Sequence, residues 1–158
     1  MPRVGGINVA GVLLASLAFY FVGFVVYGLV FERDWISETL VQHGFDARVV
    51  AEMTPERLDA AWLKTFPDNN AGVSMGVGFL NALASVTVLA VVLRLLTANS
   101  PGLAANILYA MLLCAGFAFT TLAYGPIYAG GSMRLLMIDS IHLFAAYAVA
   151  GAVLSRFQ

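Results

Sequence analysis

Four runs of apolar residues, each long enough to cross a bilayer as a helix, constrain this chain more than any other feature. About 20 helical residues cover the roughly 30 Å of a hydrocarbon core. The runs extend from Ile7 to Phe31, Gly72 to Leu96, Leu103 to Tyr124 and Leu135 to Phe157. In lipid every backbone N–H and C=O must find a partner within its own segment, so the runs are read as helices rather than open strands. Charge supports the same conclusion: Asp, Glu, Lys and Arg make up 11% of the 158 residues, where soluble domains carry about 25%. The expected fold is all-α, an integral membrane four-helix bundle forming a single membrane domain over residues 1–158. The first run is too long for the roughly 7–15 apolar residues of a signal-peptide core, so it is read as an uncleaved first helix.

The only sizeable polar segment, residues 32–70, lies between the first two runs and holds eight of the nine acids and four of the eight basic residues. Two amphipathic helices are legible in it. The first opens with Asp34 as N-cap, places Trp35, Ile36, Thr39, Leu40 and His43 on one side, and stops at Gly44. The second opens at Thr54-Pro55-Glu56, a cap residue followed by proline at the first helical position. Leu58, Ala61, Trp62, Thr65 and Phe66 then recur at helical spacing. Trp35, Trp62 and Phe66 suit the membrane interface, where amphipathic rings settle. The insert is read as a cap on the bundle mouth, with a partner-docking surface as the other reading.

The remaining links, residues 97–101 and 125–134, are short, so consecutive helices are antiparallel and both termini lie on one side. That side carries Arg3, Arg94 and Arg156 with no acidic side chain, whereas the loop side carries Arg33, Arg48, Arg57, Lys64 and Arg134 among eight acids. A bare count of basic residues places the loop inside, and the unopposed charge places the termini inside; the termini are assigned to the cytoplasm. A duplication of helix hairpins is also readable, because Tyr27-Gly28-Leu29-Val30-Phe31 resembles Tyr124-Gly125-Pro126-Ile127-Tyr128 at the same place in each half.

Asp139 and His142 stand inside the fourth run. A carboxylate there costs about 2.5–3.5 kcal/mol on insertion scales and normally faces the bundle or water with a partner. His142, three residues on, shares its helix face and can pair with it. At 1.5 Å per residue, Asp139 lies about 7 Å, His142 about 12 Å and Asn81 about 13 Å in from the loop side. Tyr27 and Tyr124 lie near the loop-side ends of helices one and three. These five residues are the candidate ligand site or polar cluster; ordinary interhelical hydrogen bonding is the competing reading. One His and one Asp fall short of the usual metal ligand set, so no metal or cofactor is expected. Cys114 has no basic neighbour to activate it, and Ser140 beside Asp139 points about 100° away on a helix, so no catalytic residue is assigned. No basic cluster supports nucleic-acid binding. The small-residue surfaces Gly72-x-x-x-Gly76, with Gly78 and Ala82, and Ala146-x-x-x-Ala150-Gly151 permit close helix contact within the protein or between copies.

The stretch Gly23-Phe24-Val25-Val26-Tyr27-Gly28-Leu29-Val30-Phe31-Glu32-Arg33-Asp34-Trp35, together with Ile138-Asp139-Ser140-Ile141-His142-Leu143 and Gly151-Ala152-Val153-Leu154, resembles a bacterial family of small four-helix membrane proteins catalogued as a domain of unknown function. Where the family pattern has Trp before the Tyr and Pro after the next residue, Val26 and Leu29 stand here. The resemblance implies a stand-alone bundle in the bacterial inner membrane and supplies no substrate or activity. The expected function is therefore that of an uncharacterised, non-enzymatic membrane protein, in contact with the lipid bilayer and acting as a homo-oligomer or as an accessory subunit of a larger complex. The alternative is a small transporter or ligand-binding protein using the Asp139–His142–Asn81 site. A membrane enzyme has no constellation behind it.

Overall fold

The computed structural model describes residues 3–68, 70–98 and 102–157. A short hairpin, β1 (Arg3–Val4) with β2 (Ile7–Asn8), leads into α1 (Val9–Val25). The Asn8 side chain caps α1 by accepting from the Gly11 N–H at 3.3 Å. The helix then widens into a π turn over Val26–Val30, closed by the Phe31 N–H on the Val26 carbonyl at 2.9 Å. The polar insert follows as α2 (Glu32–Gln42), α3 (Ala47–Ala51) and α4 (Pro55–Thr65). The second span is α5 (Ala71–Leu96). The third is α6 (Leu103–Leu113), a π turn over Cys114–Phe119, and α7 (Thr120–Tyr128). The fourth is α8 (Met133–Leu154). Four helical stretches, Val9–Val30, Ala71–Leu96, Leu103–Tyr128 and Met133–Leu154, are long and apolar enough to cross a membrane.

Three expectations need correction. The third span does not stop at Tyr124: it runs through Pro126 to Tyr128, because the terminating left-handed residue is Gly130 (φ 68°) and the Gly131 N–H reaches back to the Gly125 carbonyl. Asp34 does not cap α2. The helix follows directly from the π turn with Phe31 in the cap position, which leaves Asp34 in the first turn and bonded to Arg134 at 2.7 Å. The insert also holds a helix that periodicity did not reveal, α3, opened by Asp46 accepting from the Arg48 and Val49 N–H groups. Gly44 (φ 94°) does end α2, and Thr54-Pro55 does open α4. Of the 97–101 link, residues 99–101 lie outside the described residues, as does Asn69 of the insert.

The spans pack in the order α5, α1, α8, α6, with α1 and α8 in the middle and α5 only lightly against α6. A hairpin duplication would make span one equivalent to span three and span two to span four. Each hairpin packs on itself, α1 with α5 and α6 with α8, and the two hairpins meet through spans one and four. The main core joins Val12, Ala15 and Phe19 to Val86, Leu89 and Leu93, Ala110, and Ala146, Ala150 and Leu154. With Ala82, this core extends from the middle of the spans to their terminal side. Gly151 lets α6 approach α8 so closely that a Cβ there would stand 2.8 Å from the Asn106 carbonyl oxygen. At the loop side α5 diverges, and Ala71–Val77 is exposed throughout. The insert has a small core of its own, Leu40, Val50 and Leu58, ringed by Ile36, Val41, Phe45, Met53 and Ala61.

Candidate functional site

The loop-side divergence of α5 from α1 opens a groove of about 570 Å³. Phe19, Tyr20, Phe24 and Trp35 give it aromatic walls, while Tyr27, Asn81 and His142 contribute polar atoms. No Lys, Arg, Asp or Glu lines it.

Tyr27 lies in the π turn. A π turn inserts one residue into the helical path and so turns the following side chain relative to the helix behind it. The Tyr27 hydroxyl donates to Asp139 Oδ1 at 2.7 Å and lies 3.2 Å from His142 Nδ1. A phenol has one hydrogen. With that hydrogen on Asp139, the oxygen accepts from Nδ1–H of the imidazole. The neutral ring then presents a lone pair at Nε2 on its other side. That side faces Gly23, where an added Cβ would stand 3.1 Å from Nε2. By their spacing Asp139 and His142 could pair directly on one helix face. Instead Tyr27, entering from α1, bridges them, and among the described residues no ion pair joins the two.

Asn81 lines the groove from α5 and its side chain is exposed. No hydrogen bond to it is present among the described residues. The third span contributes nothing here. Tyr124 is 63% exposed and packs on Tyr128 at 5.3 Å between ring centroids. The reason is the packing order: α8 stands between the third span and α1, so a residue on α7 has no path to Tyr27. The candidate cluster is therefore Tyr27, Asp139 and His142, with Asn81 on the facing helix and Tyr124 apart. Gly23 is the member that sequence reasoning missed, although its spacing of four residues from Tyr27 put it on the same helix face.

The interfacial aromatics continue from this site. Tyr27 meets Trp35 at 5.8 Å, Trp35 meets Trp62 at 4.9 Å, Trp62 meets Phe66 at 4.4 Å, and Phe66 meets His43 at 4.8 Å. This row ties the insert to the mouth of the groove. Arg134 bonds Asp34, and Ser132 donates to Glu38 at 2.6 Å, which anchors α2 to the start of α8. No group of three or more His, Cys, Asp or Glu suited to a metal is present among the described residues.

The model of one protein family, described as "Protein of unknown function (DUF1761)", matches residues 10–155. No curated protein and no solved structure matches the chain.

Proposed function

We propose, for a chain that belongs to the DUF1761 family of unknown function, that it is a non-enzymatic membrane protein that binds a neutral amphiphile in the groove between α1 and α5. The observation that carries this reading is Asn81. Its amide lies at about mid-membrane depth in the groove wall, without a hydrogen-bond partner among the described residues. An amide left bare in hydrocarbon costs several kcal/mol, on the order of 4 or more by alkane transfer. Across the groove His142 offers the Nε2 lone pair. A ligand whose polar end both donates and accepts, such as a hydroxyl or a carbonyl–hydroxyl pair, satisfies both groups. The aromatic walls suit a flat or chain-like apolar body, and the lack of charged lining argues against an ionic one. The volume lies within the 300–1,000 Å³ typical of small-molecule sites.

Native mass spectrometry of the protein, extracted gently from its host membranes, tests this. The expected result is an added mass of small-molecule size that Asn81→Leu and His142→Leu each remove. A chain without added mass, or mass retained in both variants, overturns the reading.

A second reading, action through a homo-oligomer or as an accessory subunit, is favoured by the first turns of α5. There Gly72 and Gly76 carry small surfaces with no neighbouring element against them. In the same spectra a dimer, or a fixed complex with other chains, supports it. Of location, we place the protein in a bacterial inner membrane with the termini in the cytoplasm, because Arg3, Arg94 and Arg156 face no acidic side chain. A fluorescent protein fused at the N-terminus then folds and fluoresces; a dark fusion of normal abundance reverses the orientation.

A further inference from the structure

A second cavity, of about 260 Å³, lies at the opposite end of the molecule from the aromatic row. Three separate segments build it: the β1–β2 hairpin, the last turns of α5, and the chain that follows α8. Arg3, Gly6, Ala90, Arg94, Thr97 and Phe157 are among its lining residues. Phe157 is held there by Gly11, whose missing side chain leaves the ring room to lie on α1.

The hairpin is shaped to receive Arg94. Gly5 (φ 57°) and Gly6 (φ 78°) make a turn that side chains other than glycine rarely adopt. The Arg94 guanidinium crosses directly over Gly6 and donates through Nη1 to the Gly5 carbonyl. This contact fixes one arginine in the cavity wall and leaves further N–H donors on its guanidinium. Arg3, on the strand beside it, has no ion-pair or hydrogen-bond partner for its side chain among the described residues. No acidic side chain occurs in residues 1–31, 71–138 or 140–158, and among the described residues no ion pair neutralises the two cations. Two guanidinium groups on one cavity, with neither acid nor ion pair, create a positive potential that an oxyanion relieves.

We infer that this cavity binds a phosphate-bearing anion between Arg3 and Arg94. Guanidinium forks match phosphate oxygens in geometry and charge. The cavity also joins these polar groups to the apolar surfaces of Ile7, Ala90 and Phe157 at the end of the membrane spans. That is where the phosphate of an anionic lipid lies, with its first acyl carbons alongside. A lipid headgroup and a free phosphate share the recognised chemistry, and the experiment separates them.

The full chain in a neutral detergent is titrated with phosphatidylglycerol, and separately with inorganic phosphate, while thermal unfolding is followed. Four proteins are compared: the wild type, Arg3→Gln, Arg94→Gln and Arg48→Gln. The last removes the same charge from the insert. Arg3→Gln keeps the hairpin contact of Arg94 intact, so it reports on the site even where Arg94→Gln loosens the fold. The expected result is saturable stabilisation by the lipid, with half-saturation raised about tenfold in Arg3→Gln and unchanged in Arg48→Gln. The same pattern with inorganic phosphate supports the site and identifies a soluble phosphate as its occupant. Stabilisation that is unsaturable, equal in Arg3→Gln and wild type, or weakened as much by Arg48→Gln overturns the inference and leaves only diffuse charge attraction.

Discussion

A tyrosine hydroxyl decides the chemistry of the intramembrane site. Tyr27 has one hydrogen to donate, and Asp139 accepts that bond at 2.7 Å; His142 then donates from Nδ1 and keeps its lone pair on Nε2, on the side of Gly23. Tyr27→Phe removes the bridge and leaves both partners without their common hydrogen bond. Losing such a part-buried bond to a charged or aromatic polar group costs about 1–3 kcal/mol, so the variant is expected to unfold earlier in detergent and to retain less bound mass in native spectra. Gly23→Ala tests the open side alone. Its methyl would stand 3.1 Å from Nε2, and the ring can shift to accommodate it. The expected result is a normal melting temperature with reduced ligand occupancy; unchanged occupancy would show that Nε2 does not meet the ligand. Asp139 and His142 were legible in the sequence because ionisable residues stand out in an apolar helix. Tyr27 was legible only as part of an exit motif, since a tyrosine near a helix end has an interfacial role available by default. The bridge itself was hidden, because it depends on a π turn that no residue pattern announces.

The insert is a small folded unit rather than two separate amphipathic helices. Its apolar faces meet one another through Leu40, Val50 and Leu58, and the aromatic side of α2 and α4 turns to the groove mouth. Leu58→Ala is expected to cost about 2–3 kcal/mol locally and to speed amide exchange throughout α2–α4, while amides in α1 and α8 stay protected. Equal acceleration in the spans would mean that insert and bundle unfold together. At the start of α4, Glu56 is fully exposed, and hydrogen bonds to its own backbone N–H and to Thr54 hold its carboxyl below the usual 4.5. A lowered folded value means that its support of the first turn is complete above pH about 4.5 and is lost as pH falls through the lowered value. The amides of that turn should therefore lose protection, relative to their intrinsic exchange rates, only in acid, and Glu56→Gln should abolish the dependence. Helix α4 was readable from Thr54-Pro55 and its spacing, and the end of α2 from Gly44. Helix α3 was not, because five residues show no periodicity and a lone Asp46 is as common in turns.

At the scale of the molecule, the bundle is tight at the terminal side and parted at the loop side. Length and hydropathy revealed four spans because a bilayer demands both. They did not reveal which spans touch, since helices apolar on every side carry no facial pattern to read. Small residues are the remaining clue, and the two small-residue surfaces have different fates. Around Gly151 the surface is consumed within the chain, where an added Cβ would meet the Asn106 carbonyl oxygen at 2.8 Å and Ala110 at 3.0 Å. Around Gly76 nothing lies within 4 Å. Gly151→Val must therefore wedge α6 from α8 and is expected to cost about 1–3 kcal/mol or more, read as a lower melting temperature or failure to accumulate. At Gly76 an added Cβ meets no other element within 4 Å, so Gly76→Val should leave the monomer's stability within about 0.5 kcal/mol of wild type. Native spectra of that variant then discriminate between the two functional readings. If copies associate through α5, valine at position 76 separates them while any ligand mass stays with the single chain. If the ligand mass disappears together with the dimer, the groove is completed by the second copy, and binding and assembly are one event.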